Sequence, residues 1–305
     1  MDEQVKKLMD ELVDGVTGIF DSEKYKTYLK TMAKFPHYSF NNTLLIYLQR
    51  PEASHVAGYQ TWRQKFGRQV RKGEKGIQIL APVTYKTKRK KTEEDGKDND
   101  KEEQNPFYML RGFRVVHVFD VSQTEGRELP SIVESLSGEV EQFTSFFSAV
   151  CEISPVPVSC EPMEDTIDGY YSHMEKRICI REGMSESQTA AALIHELSHA
   201  MLHNQEMLEA EQALTGTMKD RRTKEVEAES VAFVVNSYFG NRTDENSFGY
   251  IAGWSSGKEV PELLASLTTI QTTAETIIQG MERAYQKELE RKMEPGKEEP
   301  RAMCR

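Results

Sequence analysis

The sequence predicts an α+β protein of two domains: a helix/β module at the N terminus, then a largely helical domain with a metal-site motif. Three observations carry this expectation. The chain has 305 residues, beyond the usual size of one domain. Its apolar positions recur at helical spacing in some segments and alternate as in strands in others. Residues 195 to 199 read His195-Glu196-Leu197-Ser198-His199, inside a stretch of good helix formers.

The elements can be justified in order. Val5, Leu8, Met9, Leu12, Val13, Val16, Ile19 and Phe20 mark a first amphipathic helix, and Tyr25, Tyr28, Leu29 and Met32 a second. Ser39 to Leu48 reads as a third, capped by Ser39 and closed before Pro51. Gly76 to Tyr85 and Phe113 to Val121 read as strands. Between them lies a charged, low-complexity insertion, about residues 86–105, which is expected to be disordered. The first domain is expected over residues 1–128, a linker over 129–138, the second domain over 139–290 and a loose polar tail over 291–305. In the second domain Gly169 to Ser172 and Arg177 to Arg181 read as short strands around the turn His173 to Lys176. Pro261 to Glu290 reads as a long helix with proline in its first turn.

The histidine motif carries the chemistry. Ser185 and Gln188 have capping-box spacing ahead of it. Residues four apart share a helix face, so His195 and His199 can aim both rings at one metal ion. Glu196 then falls beside that ion, placed to take a proton from an activated water. A catalytic zinc site needs a third protein ligand, and Lys224 to Phe233 offers one on a second helix. Glu225 and Glu229 share a face, whereas Glu227 is rotated from Glu225 by roughly 200°. Glu225 is read as the ligand and Glu229 as the group that orients a ligand histidine through its second nitrogen. Glu227 is the alternative ligand. His203 lies one turn further along the stripe, too far to ligate, and reads as a supporting or packing histidine. The strand at Gly169 to Ser172 is placed to receive an extended peptide. Tyr170 and Tyr171 read as packing residues before they read as oxyanion donors.

Charge is the second signal. The chain is −10 overall, yet residues 62–91 hold eleven Lys or Arg against the single Glu74. Tyr59, Trp62, Phe66 and Tyr85 are interleaved with them. Basic residues among aromatic platforms suit sequence-tolerant binding of single-stranded nucleic acid. The candidate contacts are Tyr59, Trp62, Arg63, Lys65, Arg68, Arg71, Lys72 and Lys75; a solvated basic surface is the competing reading.

Other classes are disfavoured. No apolar run approaches the length of a membrane span. The N-terminal residues begin an acidic amphipathic helix instead of a basic, apolar signal sequence. Cys151, Cys160, Cys179 and Cys304 lack the spacing of a disulfide framework or a zinc knuckle. A cytoplasmic location is expected.

Several strings resemble a known family. Ser39-Phe40-Asn41-Asn42-Thr43-Leu44-Leu45-Ile46, Gly58 to Trp62, Val70 to Gly76 and Val118 to Gly126 look like the N-terminal domain of the ArdC antirestriction family. His195 to His199, Glu225 to Glu229 and Tyr250 to Trp254 are similar to the zincin-like metallopeptidase domain that accompanies it. Residues 170 to 203 are also similar to ImmA/IrrE-type peptidases. The resemblance implies a gluzincin-like fold, zinc as cofactor, and single-stranded DNA and a protein or peptide as partners. It further implies an antirestriction role, chiefly in conjugative mobile elements. A repressor-cleaving regulatory protease, and a DNA-binding shield with a non-catalytic metal site, are the alternatives.

Overall fold

The computed structural model describes residues 3–87, 107–129, 139–216, 218–241 and 248–293. The expected disordered insertion beyond Thr87, the linker beyond Leu129 and the tail beyond Met293 lie outside them.

Helix α1, Glu3–Gly18, buries Val5, Leu8, Leu12 and Val16, the stripe its periodicity announces. Helix α2, Ser22–Lys34, starts at Asp21, whose side chain accepts from the Glu23 N–H. Helix α3, Phe40–Gln49, has Ser39 at its cap position, but the expected side-chain capping bond is not made. Then follow strand β1, Val56–Gly58, helix α4, Tyr59–Lys65, strand β2, Arg68–Val70, and the long strands β3, Ile77–Thr87, and β4, Phe107–Asp120. A 3-10 turn, Val121–Gln123, leads to strand β5, Thr124–Gly126. Strand β3 ends two residues beyond the span read from the sequence and β4 begins six residues before it, and α4, β1, β2 and β5 were not anticipated.

Strands β1, β4 and β3 form an antiparallel sheet in that order, which leaves β3 on an edge. Helix α3 covers part of that edge with two amides. Asn42 bonds both the N–H (2.8 Å) and the carbonyl (2.9 Å) of Leu80. Gln49 does the same for Gln78, at 2.9 and 2.8 Å. Two residues seven apart on α3 thus replace a missing strand at alternate positions of β3, which satisfies backbone groups that would otherwise template aggregation.

The second half begins with helix α5, Glu139–Ile153, and strands β6, Val158–Glu161, β7, Gly169–Ser172, and β8, Arg177–Arg181. Strand β8 is central, parallel to β6 and antiparallel to β7, so β7 is an edge strand. Helices α6, Glu186–Leu202, α7, Gln205–Thr215, α8, Arg221–Tyr238, α9, Ile251–Ser255, and α10, Val260–Met293, complete the order. The Ser185–Gln188 capping box at the start of α6 is present as expected. Helix α10 runs three residues further than expected, and α7 was not foreseen. Among the described residues no helix is long and apolar enough to cross a membrane.

One buried apolar cluster extends from Val5 through Leu29 and Leu44 to Leu197, Val231, Ile270 and Ala284. It joins α1, α2 and α3 to α6, α8 and α10. Tyr25 of α2 and Ser230 of α8 share a buried hydrogen bond of 2.8 Å. Phe20 packs on Trp254 and Tyr25 on Phe248, at ring separations of 5.6 and 5.2 Å.

Asp120 ties the β4 end to the loop before β1. It is 2% exposed and accepts from the N–H groups of Ser54 (2.8 Å), His55 (3.1 Å) and Ser122 (2.9 Å), and from the Ser122 hydroxyl. Burial works against its charge, but these bonds outweigh it and hold its pKa below the usual carboxylate value. A depressed folded pKa contributes stability above the unfolded value of about 3.9, which is lost as pH falls through the folded one. Urea midpoints measured from pH 6 downward should fall in that window, and Asp120→Asn should flatten the acid limb. Asp120→Ala removes the acceptor of several part-buried donors and should cost about 3 kcal/mol.

Candidate metal centre

Helix α6 presents its histidines on one stripe, and α8 crosses it with its own carboxylates. His195 Nε2 and His199 Nε2 lie 3.1 Å apart, and Glu225 Oε2 is 3.6 Å from each. Ligand atoms of these three residues fall within 4.8 Å of one another. The sequence-predicted trio is therefore brought together. Hydrogen bonds to His195 and then His199 push the Glu225 carboxyl far below its ordinary range. Burial disfavours charge on His195, but Glu225 and the neighbouring charges of Glu196 and Glu229 raise its pKa above the usual value.

Glu196 is nearly buried beside the trio. Burial raises its pKa, against the opposing pull of His195, His199 and the Tyr171 N–H. Strand β7 reaches it because residue 169 is glycine. A Cβ there would stand 2.9 Å from the Cys179 carbonyl and 3.3 Å from Glu196 Cγ, so a side chain would push β7 away.

The other two acids of α8 take different places. Glu227, the alternative ligand, is fully buried away from the trio. It accepts from Lys219 Nζ at 3.0 Å and faces His203 Nε2 at 3.1 Å. The second nitrogen of His199 meets His203 Nδ1 at 3.0 Å. Glu229 accepts the Tyr250 hydroxyl and stands near enough to His195 for its charge to raise that ring's pKa. His203, one turn beyond His199, fills the space behind the His199 ring. Tyr250 is brought in by Arg222, which donates to the Tyr250 and Gly253 carbonyls at 3.0 and 3.3 Å. Tyr250 lies in the Tyr250 to Trp254 string noted in the sequence, but its pairing with Glu229 was not foreseen, and the Lys219 contact had no sequence signal.

The predicted nucleic-acid contacts divide. Trp62 is a core residue, 1% exposed, between Ala57 and Val70. Its indole N–H donates to the Phe119 carbonyl at 2.8 Å, so no ring face is open for stacking and that expectation is corrected. Arg68 is half-buried, bonding the Thr124 hydroxyl (2.7 Å) and carbonyl (3.1 Å) and the Arg127 carbonyl. Arg71 is partly spent on Glu74 (2.7 Å) and the Ser122 carbonyl (2.6 Å). Arg63, Lys65, Lys72 and Lys75 are exposed, as is Tyr59. Arg111 and Arg114 of β4 are exposed too, with Tyr85 across the ribbon. The sequence reading passed over these two arginines because they lie beyond the insertion, outside the window of high basic density.

Two imidazoles and a carboxylate converging from paired helices, with a buried second carboxylate alongside, define a candidate two-histidine, one-carboxylate cation site. The chain belongs to the family described as "Putative metallopeptidase family (DUF6782)", whose profile matches residues 115–287. Residues 2–119 match the "N-terminal domain of anti-restriction factor ArdC". An uncharacterized protein of Bacillus anthracis is 26% identical over 334 aligned positions, covering 97% of this chain and 54% of that protein. The chain thus spans about half the length of that curated relative. Among crystal structures, the metal-free antirestriction ArdC protein from R388 plasmid is 17% identical with a TM-score of 0.49, covering 82% of this chain and 86% of that one. The Mn(II)-bound structure of the same protein is 18% identical with a TM-score of 0.46, covering 81% and 84%.

Removing the Trp62 ring should act on stability first. Trp62→Ala is expected to cost about 3–5 kcal/mol in chemical denaturation, whereas Lys65→Gln or Lys72→Gln should stay within about 0.5 kcal/mol. A Trp62→Ala protein of unchanged stability would return the ring to the surface.

Proposed function

We propose that the chain is a zinc-dependent peptidase of the HExxH type with a zincin-like, gluzincin-type second half, joined to a module that binds single-stranded DNA. The observation that carries the reading is the convergence of His195, His199 and Glu225 with Glu196 beside them. Two imidazole nitrogens and one carboxylate oxygen are a donor set suited to zinc. The two functional modules are taken to meet near residue 128.

In this reading His195, His199 and Glu225 hold the cation, which supplies Lewis acidity toward a scissile carbonyl. Glu196 accepts the proton of the attacking water and passes it to the leaving amine. Its raised pKa brings it nearer the working range of a general base. Strand β7, open on its outer edge, receives the peptide as a further strand. Tyr250 holds Glu229 in place behind the site.

The DNA part rests on the exposed basic residues Arg63, Lys65, Lys72 and Lys75, with Tyr59 among them, in a chain of net −10. Together with the ArdC-type N-terminal match, these support an antirestriction role in the cytoplasm for a mobile element.

Elemental analysis should find one zinc in the wild-type chain, none in His195→Ala or His199→Ala, and sharply less in Glu225→Ala. Glu196→Gln should keep the metal and lose cleavage of a peptide library. Full zinc in both histidine variants would end the metal proposal. Binding to a dT oligonucleotide should weaken steeply with salt, since neutralised phosphates release counterions. Substituting Lys65 and Lys72 together should flatten that slope; affinity indifferent to ionic strength would sink the DNA part.

A further inference from the structure

We infer that His203 is a positioning residue of the metal centre, which holds His199 in the one tautomer that leaves its Nε2 lone pair free for a cation. The inference rests on the metal reading above and adds residues outside the ligand trio: His203, Glu227 and Lys219.

The hydrogen-bond order follows from counting protons. His199 Nε2 faces His195 Nε2 at 3.1 Å and Glu225 at 3.6 Å, so this nitrogen is the ligand atom. A neutral imidazole that offers one nitrogen as a lone pair carries its proton on the other. His199 therefore has its hydrogen on Nδ1, which lies 3.0 Å from His203 Nδ1. That atom must accept. The hydrogen of His203 is then left on Nε2, and it donates to Glu227 Oε2 at 3.1 Å. The same oxygen accepts from Lys219 Nζ at 3.0 Å.

The opposite order is disfavoured at the Glu227 end. It would put a hydrogen on Glu227 Oε2, where the Lys219 ammonium already donates. It would also place the His199 hydrogen on Nε2, facing Glu225, and so occupy the lone pair that a cation needs. Lys219 thus sets the direction of the whole chain by keeping Glu227 an acceptor.

Burial makes the arrangement hard to replace. His203 is 1% exposed and Glu227 is 0% exposed, so solvent does not readily stand in for either. His203 also sits at the C-cap of α6, with its own N–H on the His199 carbonyl at 2.9 Å. Backbone and ring are both locked to the ligand residue one turn before. A histidine that only filled space would need no such order of donors.

The experiment uses the full chain with two readouts. Nitrogen-15 spectra of labelled histidines in the metal-free protein report tautomers, and competition with a chromophoric chelator reports zinc affinity. In the wild type, His199 is expected as the Nδ1–H form and His203 as the Nε2–H form. His203→Phe keeps ring volume but removes the acceptor; His199 should become a tautomer mixture and zinc affinity should fall about 10- to 100-fold. His203→Asn, which restores an acceptor near the Nδ1 position, should recover part of that loss. A wild-type His199 in the Nε2–H form overturns the inference. So does unchanged zinc affinity in a His203→Phe protein with a native circular dichroism spectrum. If that variant does not fold, Lys219→Met leaves both rings in place; unaltered tautomers and affinity there overturn it equally. Zinc that binds wild type and variants alike refutes this inference alone, whereas zinc that does not bind the wild type refutes the metal reading with it.

Discussion

A carboxylate with no exposure to water, Glu227, is the constraint on which the helical half depends. Leaving such a charge without partners costs several kcal/mol, and breaking a buried pair typically costs about 3–5 kcal/mol. Lys219 and His203 supply the partners, and each comes from a different segment. Pairing Glu227 therefore fixes α8 against the end of α6 and pins the segment before α8. Once that register is set, Glu225 stands level with His195 and His199 one turn earlier in the chain of contacts. The exposed ligand carboxylate is placed by the buried one.

The same helix is held from the other side by the N-terminal module. Ser230 follows Glu229 directly, and its hydroxyl bonds Tyr25 of α2. Burial raises the Tyr25 pKa well above the ordinary tyrosine value, with Glu227 and Glu229 adding to the rise. Phe20, Trp254 and Phe248 close around that contact. The apolar stripes of α1 and α2 are thus buried against α8, α9 and α10, and the shared core couples the placement of Glu225 to the folding of the first fifty residues. The family matches divide the chain by ancestry, at residues 115–119 where they overlap; the core does not divide there.

What the sequence made legible was whatever depends on local spacing. The period of α1, the capping box of α6, the two strands around residues 173–176 and the convergence of His195 with His199 all follow from one or two turns of backbone. Rotation about the helix axis set Glu227 apart from Glu225 and Glu229 but left it open as the alternative ligand. What stayed illegible depended on contacts between distant segments. The amides of Asn42 and Gln49 read as ordinary polar positions on α3, and only the fold shows them finishing the β3 edge. Spacing on α8 likewise says nothing of the hydroxyl that Glu229 meets, since Tyr250 arrives from the segment before α9.

The basic segment shows the same limit in electrostatic terms. A count of charges along the chain treats every Lys and Arg as free, yet the fold assigns them unequally. Arginine's planar fork can satisfy several carbonyls at once, and Arg68 and Arg71 do this for the β5 strand and the turn before it. Lysine's single ammonium on a long stem gains less from such sites, and Lys65, Lys72 and Lys75 remain at the surface. Trp62 follows a parallel rule: a large ring with one donor is best satisfied where the ring is buried and the N–H finds a carbonyl, as Phe119 provides. The residues left for an external anion are therefore those the fold has least use for. Their positions follow from which donors the backbone has already claimed, and less from the density of charge in the sequence.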